Sequence, residues 1–97
     1  MATRNGSTGR EQAFSAAVRR FPHAEFAIRR LMNRSEAFCD MCEDLAEAEW
    51  ALSNVPATPP AIREARKVEW QELVDRLVAE VGTALRENDT RNNPAGQ

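Results

Sequence analysis

Six apolar residues, Phe38, Met41, Leu45, Ala48, Leu52 and Val55, follow one another at spacings of 3, 4, 3, 4 and 3. A stripe with that period stays on one side of an α-helix and marks a helix packed lengthwise on another. The run Pro56-Ala57-Thr58-Pro59-Pro60 ends it, because proline brings no amide hydrogen to the ladder and its ring clashes with the preceding turn. A second stripe follows: Trp70, Val74, Leu77, Val81 and Ala84, flanked by Leu73, Val78 and Leu85. On a helical wheel these eight cover an arc of about 140°. That is wider than a two-strand seam, so this helix is expected to meet more than one neighbour.

Two stripes joined by a proline turn predict an antiparallel hairpin with helices over about 35–54 and 60–87. The second would be about 28 residues, or ~42 Å, long. A turn near Ala57 would set Leu52 against Ile62, Met41 against Val74 and Phe38 against Leu77. The overhanging end of the long helix then needs cover, and the segment Phe26 to Met32 is placed to give it, with Ile28 and Leu31 on one face. That segment predicts a helix over about 22–32, opened by Pro22, which suits a first helical turn. Asn33-Arg34-Ser35 is an open joint. Ser35 has the chemistry of an N-cap, yet Ile28, Leu31, Ser35 and Phe38 also keep helical spacing through it. The reading adopted is one long arm that continues or kinks there. Further upstream, Thr8 and Glu11 have capping-box spacing. They predict a short helix over about 10–20 with Phe14, Ala17, Val18 and Phe21 on one side. Residues 1–9 and 88–97 are polar and read as disordered tails, leaving residues 10–87 as one helical domain.

The rest of the sequence agrees with an all-α chain. Tyrosine is absent, and Val, Ile and Thr never alternate with polar residues as a strand requires. No run approaches the ~20 apolar residues of a membrane span. Residues 1–10 lack the apolar stretch of a secretory signal, so a cytoplasmic protein is expected. The net charge of −2 conceals an asymmetry. Residues 1–34 carry seven Arg and two Glu, whereas residues 35–54 carry six acids and no base.

The middle of the chain resembles the YdcH-like family of short bacterial helical hairpins, which has no assigned biochemical function. Pro22, Ile28, Arg30, Leu31, Asn33 and Phe38, with apolar positions at Leu45 and Leu52, carry the resemblance over about residues 21–52. Where that family's second helix has a lysine-rich stretch, this chain reads Arg66-Lys67-Val68-Glu69-Trp70-Gln71. The N-terminal extension and the cysteine pair also depart from it. The resemblance implies a hairpin and no chemistry.

Residues able to carry chemistry are few. Cys39-Asp40-Met41-Cys42 is a CxxC, a spacing that suits zinc or thiol–disulfide exchange. It lies inside a predicted helix among Asp40, Glu43 and Asp44, which disfavour a thiolate, and one chain adds only His23 to the two sulfurs. Small packing residues are the plainer reading of the pair, and a solvated surface residue that of His23. The arginines at 19, 20, 29, 30 and 34 could meet phosphates, but without interleaved aromatics or a helix-turn-helix pattern nucleic acid is disfavoured. The acids at 36, 40, 43, 44, 47 and 49 read as a solvated helix face, with no Ca²⁺-loop pattern. No nucleophile–base pair or glycine-rich phosphate loop accompanies them, so no enzyme and no cofactor are expected.

A lone hairpin buries too little apolar surface to offset the entropy of ordering it. The expected function is therefore a small interaction or regulatory module. It would complete a helical bundle by self-association, as a homodimer, or by taking a helical partner. Leu45, Leu52, Leu73, Val74, Val78 and Leu85 are the expected contact residues, with Trp50 at the rim and Trp70 in the core. The alternatives are a metal or thiol-redox module on Cys39 and Cys42 and a nucleic-acid accessory on the N-terminal arginines.

Overall fold

The computed structural model describes residues 4–56 and 59–92. Four α-helices account for most of them: α1 (Arg4–Arg20), α2 (Glu25–Arg34), α3 (Glu36–Ser53) and α4 (Pro60–Asn92). A single 3-10 turn, Pro22–Ala24, precedes α2, and no strand occurs among the described residues. The chain is all-α, with its helices packed on one another.

Each break has a local cause. Phe21 leaves helical geometry at φ −133°, ψ 68°, as the residue before a proline tends to. Ser35 is extended at φ −127°, ψ 113°, and its Oγ accepts a hydrogen bond from the Phe38 amide at 3.1 Å. The open joint is thus an N-cap, and the expected single arm is two helices. Asn54 closes α3, its Nδ2 donating to the Trp50 carbonyl at 2.7 Å. Pro60 opens α4, whose first amide bond runs from Arg63 to the Pro59 carbonyl.

Side-chain pairs give the helix directions. Arg10 reaches Cys39, and Arg19 and Arg20 reach Glu49, so α1 and α3 run parallel with an offset close to thirty residues. Arg10 also bonds Asn33, and Arg29 lies over the Phe14 ring, so α2 runs antiparallel to α1. The hairpin expected over α3 and α4 is therefore joined by a second one, α1–α2. Helix α3 is the hub: α1 and α4 pack extensively along it, whereas α1 and α4 meet each other far less.

The first helix departs most from expectation. The polar residues from Arg4 to Gly9, expected as tail, extend it, and Thr8 is interior rather than a cap. Propagating an existing helix costs far less than starting one. Residues 1–3 lie outside the described residues. Its buried face is Ala13, Ala16 and Ala17, while Phe14, Val18 and Phe21 flank it half-buried. Alanines suit a close approach of α1 to α3, and Cys39 and Cys42 of α3 are buried in the same core.

The core runs from these alanines through Phe38, Leu45 and Ala48 of α3 to Val74, Leu77, Val81 and Leu85 of α4. Ile28 and Met32 of α2 enter beneath. The wide stripe of α4 is shared, since α4 packs on α2 as well as α3, and Phe21 lies against Gly82. The expected tail from residue 88 is helix as far as Asn92, and Asn88 is buried. Residues 93–97 lie outside the described residues.

Candidate interaction surface

Trp50 stands on α3 two residues past the buried Ala48, a rotation that aims it outward, and it is 67% exposed. It forms a ridge between two grooves. Along α1 and α3 a groove of about 880 Å³ is lined by polar groups, among them Gln12, Ser15, Arg19, Arg20 and Glu49. Along α3 and α4 a groove of about 520 Å³ is apolar: Ala48 and Ala51 form one wall, and Trp70, Leu73 and Leu77 the other. Asp44 and Glu47 edge it on the α3 side.

This groove also corrects the hairpin register. Trp70 and Leu73 share it with Ala48 and Ala51, about one turn from the pairing expected from a turn at Ala57. The start of α4 consequently runs past the end of α3, and Ile62, expected against Leu52, is 50% exposed. Trp70, expected in the core, is half-buried on the groove wall.

The expected contact residues divide three ways. Leu45 and Val74 have no exposed surface and Leu85 almost none, so within this chain they are core. The core they share also takes Ala13, Ala16 and Ala17 of α1 and Ile28 and Met32 of α2. Leu52, Leu73 and Val78 are half-buried. Leu73 joins Trp50 at the apolar groove, Leu52 lines the polar one, and Val78 lines neither. The sequence reading missed Phe26, 70% exposed, and Val68, 55% exposed. A helical wheel would have shown both off the buried stripes of their helices.

The two thiols are free and buried. Burial pushes the Cys42 thiol up to about 12, helped by Cys39 and Glu43. Burial likewise raises Cys39, against the opposing pull of Arg10, whose Nη1 lies 3.6 Å from its sulfur. The Cys39 thiol donates to Glu43 at 3.8 Å. Such thiols stay protonated, which suits packing and not nucleophilic attack. His23 is exposed on the 3-10 turn. Among the described residues no group of three or more His, Cys, Asp or Glu is placed to hold a metal.

The arginines are partly committed. Arg19 and Arg20 both bind Glu49, at 3.0 and 2.7 Å. Arg29 reaches Glu25 at 3.6 Å. Arg30 lies over its own helix's Phe26 ring, and neither it nor Arg34 has an ion pair among the described residues. The same holds for Asp40, Asp44 and Glu47 of α3. No described helix is long and apolar enough to cross a membrane. Comparison with protein-family models, curated proteins and solved structures finds no match to this chain.

Proposed function

We propose that this protein is a non-enzymatic interaction module that binds a helix in the groove between α3 and α4. The observation that carries the reading is Trp50. A large aromatic side chain left mostly in water loses the stabilisation that burial would give it, and here it stands beside an open apolar groove walled by Trp70 and Leu73. Aromatic residues beside a partly dry groove are the usual anchors of a protein contact. Helix-in-groove binding needs a trough of this kind, which reads apolar side chains one turn apart. Exposed Ile62 and Val68 on the opening turns of α4 add apolar surface on the same helix.

The test is photo-crosslinking with benzoylphenylalanine in place of Trp50, in purified protein and in an extract of the source cell. A covalent adduct to a protein segment is expected, absent when the probe replaces exposed Arg76 on α4. No adduct in either preparation, or equal adducts from both positions, counts decisively against the groove.

A further inference from the structure

The groove reading leaves its occupant unnamed, and two unsatisfied surfaces of the same chain fit each other. We infer that the occupant is the α2 face of a second copy, with Phe26 entering the apolar groove and Arg30 and Arg34 meeting the acids of α3; this rests on the proposed groove. Phe26 has the largest exposure of any large apolar side chain among the described residues, 70%. Phe26, Arg30 and Arg34 succeed one another at four-residue steps, so they form one line along α2. All three are exposed.

The receiving surface matches that line in charge and in spacing. From Ala51 at the apolar end of the groove, Glu47, Asp44 and Asp40 follow at about 6, 10 and 16 Å up α3. From Phe26, Arg30 and Arg34 follow at about 6 and 12 Å along α2. An antiparallel approach of α2 to α3 therefore sets Phe26 between Trp50 and Trp70, Arg30 near Glu47 and Arg34 near Asp44 and Asp40. None of these five charges has an ion pair among the described residues. Their complementarity would fix the direction and register of docking more than its strength. The two surfaces lie on different elements, so the contact either closes as a symmetric pair, each α2 on the other copy's α3, or propagates from copy to copy.

The experiment is sedimentation of the full chain over a concentration series, with two charge-reversed variants. One carries Arg30→Glu and Arg34→Glu, the other Asp44→Lys and Glu47→Lys, all at exposed positions, and circular dichroism checks that each is folded. The wild type should rise above its 10.9 kDa monomer mass with concentration and fall back as salt is raised. Each variant alone should associate roughly tenfold or more weakly. An equimolar mixture should regain association, because each variant keeps the surface the other lacks and the reversed surfaces also match. A wild type that stays monomeric to the order of hundreds of micromolar overturns the inference, as does association that survives both reversals or is not regained on mixing. A Trp50 crosslink to a different protein, with a monomeric wild type, overturns the second copy as occupant while the groove itself stands.

Discussion

Nε of Arg20 lies 2.7 Å from Oε2 of Glu49, across the parallel helices α1 and α3. Arg19 takes the other carboxylate oxygen at 3.0 Å. The Glu49 side chain is largely buried and the arginines are considerably more exposed. The pair thus ties the last turn of α1 to the last turn of α3, beyond the alanines that pack the two helices. Glu49→Ala is expected to cost about 1–2 kcal/mol, because two cations lose a shared, partly desolvated partner. Arg19→Ala alone should cost less than about 0.5 kcal/mol, given its exposure. Urea unfolding at low and high salt checks both, and equal losses for the two variants would contradict this account.

Gly82 faces Phe21. A Cβ at that position would lie 3.3 Å from Cζ of the ring, close enough that the ring must give slightly. Alanine also gains about 0.8–1 kcal/mol of helix propensity over glycine, so Gly82→Ala should come out near neutral. Gly82→Val has no such freedom and should lose about 1–3 kcal/mol through overpacking. In a Phe21→Leu background Gly82→Ala should become stabilising. A double-mutant cycle by denaturant unfolding measures that coupling, and additive effects would mean that the ring does not limit the site.

These two contacts also show what the sequence could and could not disclose. The heptad stripe placed Phe38 and Ala48 on the packed face, and the proline run placed the break between α3 and α4, because helical period and proline chemistry act locally. The closeness of α1 to α3 was illegible. Its buried residues are Ala13, Ala16 and Ala17, and alanine is equally at home on an exposed helix face, so nothing in its spacing distinguishes a close helix contact from a solvated one. Without that contact the hairpin lacks cover for its stripe, and Leu45, Val74 and Leu85 read as interface residues. Trp50 lies off that stripe and is exposed, since a bulky aromatic there has no way back to the core on a rigid helix. The charge asymmetry was visible from the sequence, yet pairing Arg19 and Arg20 with Glu49 required the parallel offset of two helices.

Ser35 is where α2 and α3 separate, and its hydroxyl holds the Phe38 amide. Ser35→Ala should lower stability by about 1 kcal/mol, while Ser35→Asp should keep most of it because the carboxylate accepts the same bond. Thermal unfolding followed by circular dichroism separates the two. If alanine were as stable as serine, a continuous helix through residue 35 would be as favourable as the capped break.

The Cys42 thiol rises from an ordinary 9.0 to about 12 through burial. Below pH 9 the group is protonated in both folded and unfolded chains and contributes no pH dependence. Between about pH 9 and 12 the unfolded thiol releases its proton while the folded one retains it, so stability falls as pH rises. The loss approaches about 1.4 kcal/mol per pH unit at its steepest. The chain has no tyrosine and a single lysine, so the main companion in that window is Cys39, whose thiol burial raises in the same direction. Cys42→Ala should reduce the slope in urea titrations repeated from pH 8 to 11, and Cys39→Ala with Cys42→Ala should reduce it further. In native protein at pH 8, iodoacetamide should leave Cys42 unmodified and reach it after unfolding; rapid native alkylation would mean an accessible, ionisable thiol.

Trp50 and Trp70 lie on the same groove and should respond oppositely to truncation. Trp70 is half-buried beside Leu73 and Leu77, so Trp70→Ala should cost about 1–3 kcal/mol of folding stability. Trp50 is 67% exposed, and Trp50→Ala should change stability by less than about 0.5 kcal/mol. If the groove binds a helix, the exposed residue gains most of its burial in the complex, so Trp50→Ala should weaken binding by about 2 kcal/mol or more. Iodide quenching of the single-tryptophan variants gives an independent view: the Trp50 signal should be strongly quenched in dilute protein and protected once the groove is filled. A Trp50 that is already shielded at the lowest measurable concentration, in protein shown to be monomeric, would mean that the ring packs on its own chain and is not held out for a partner.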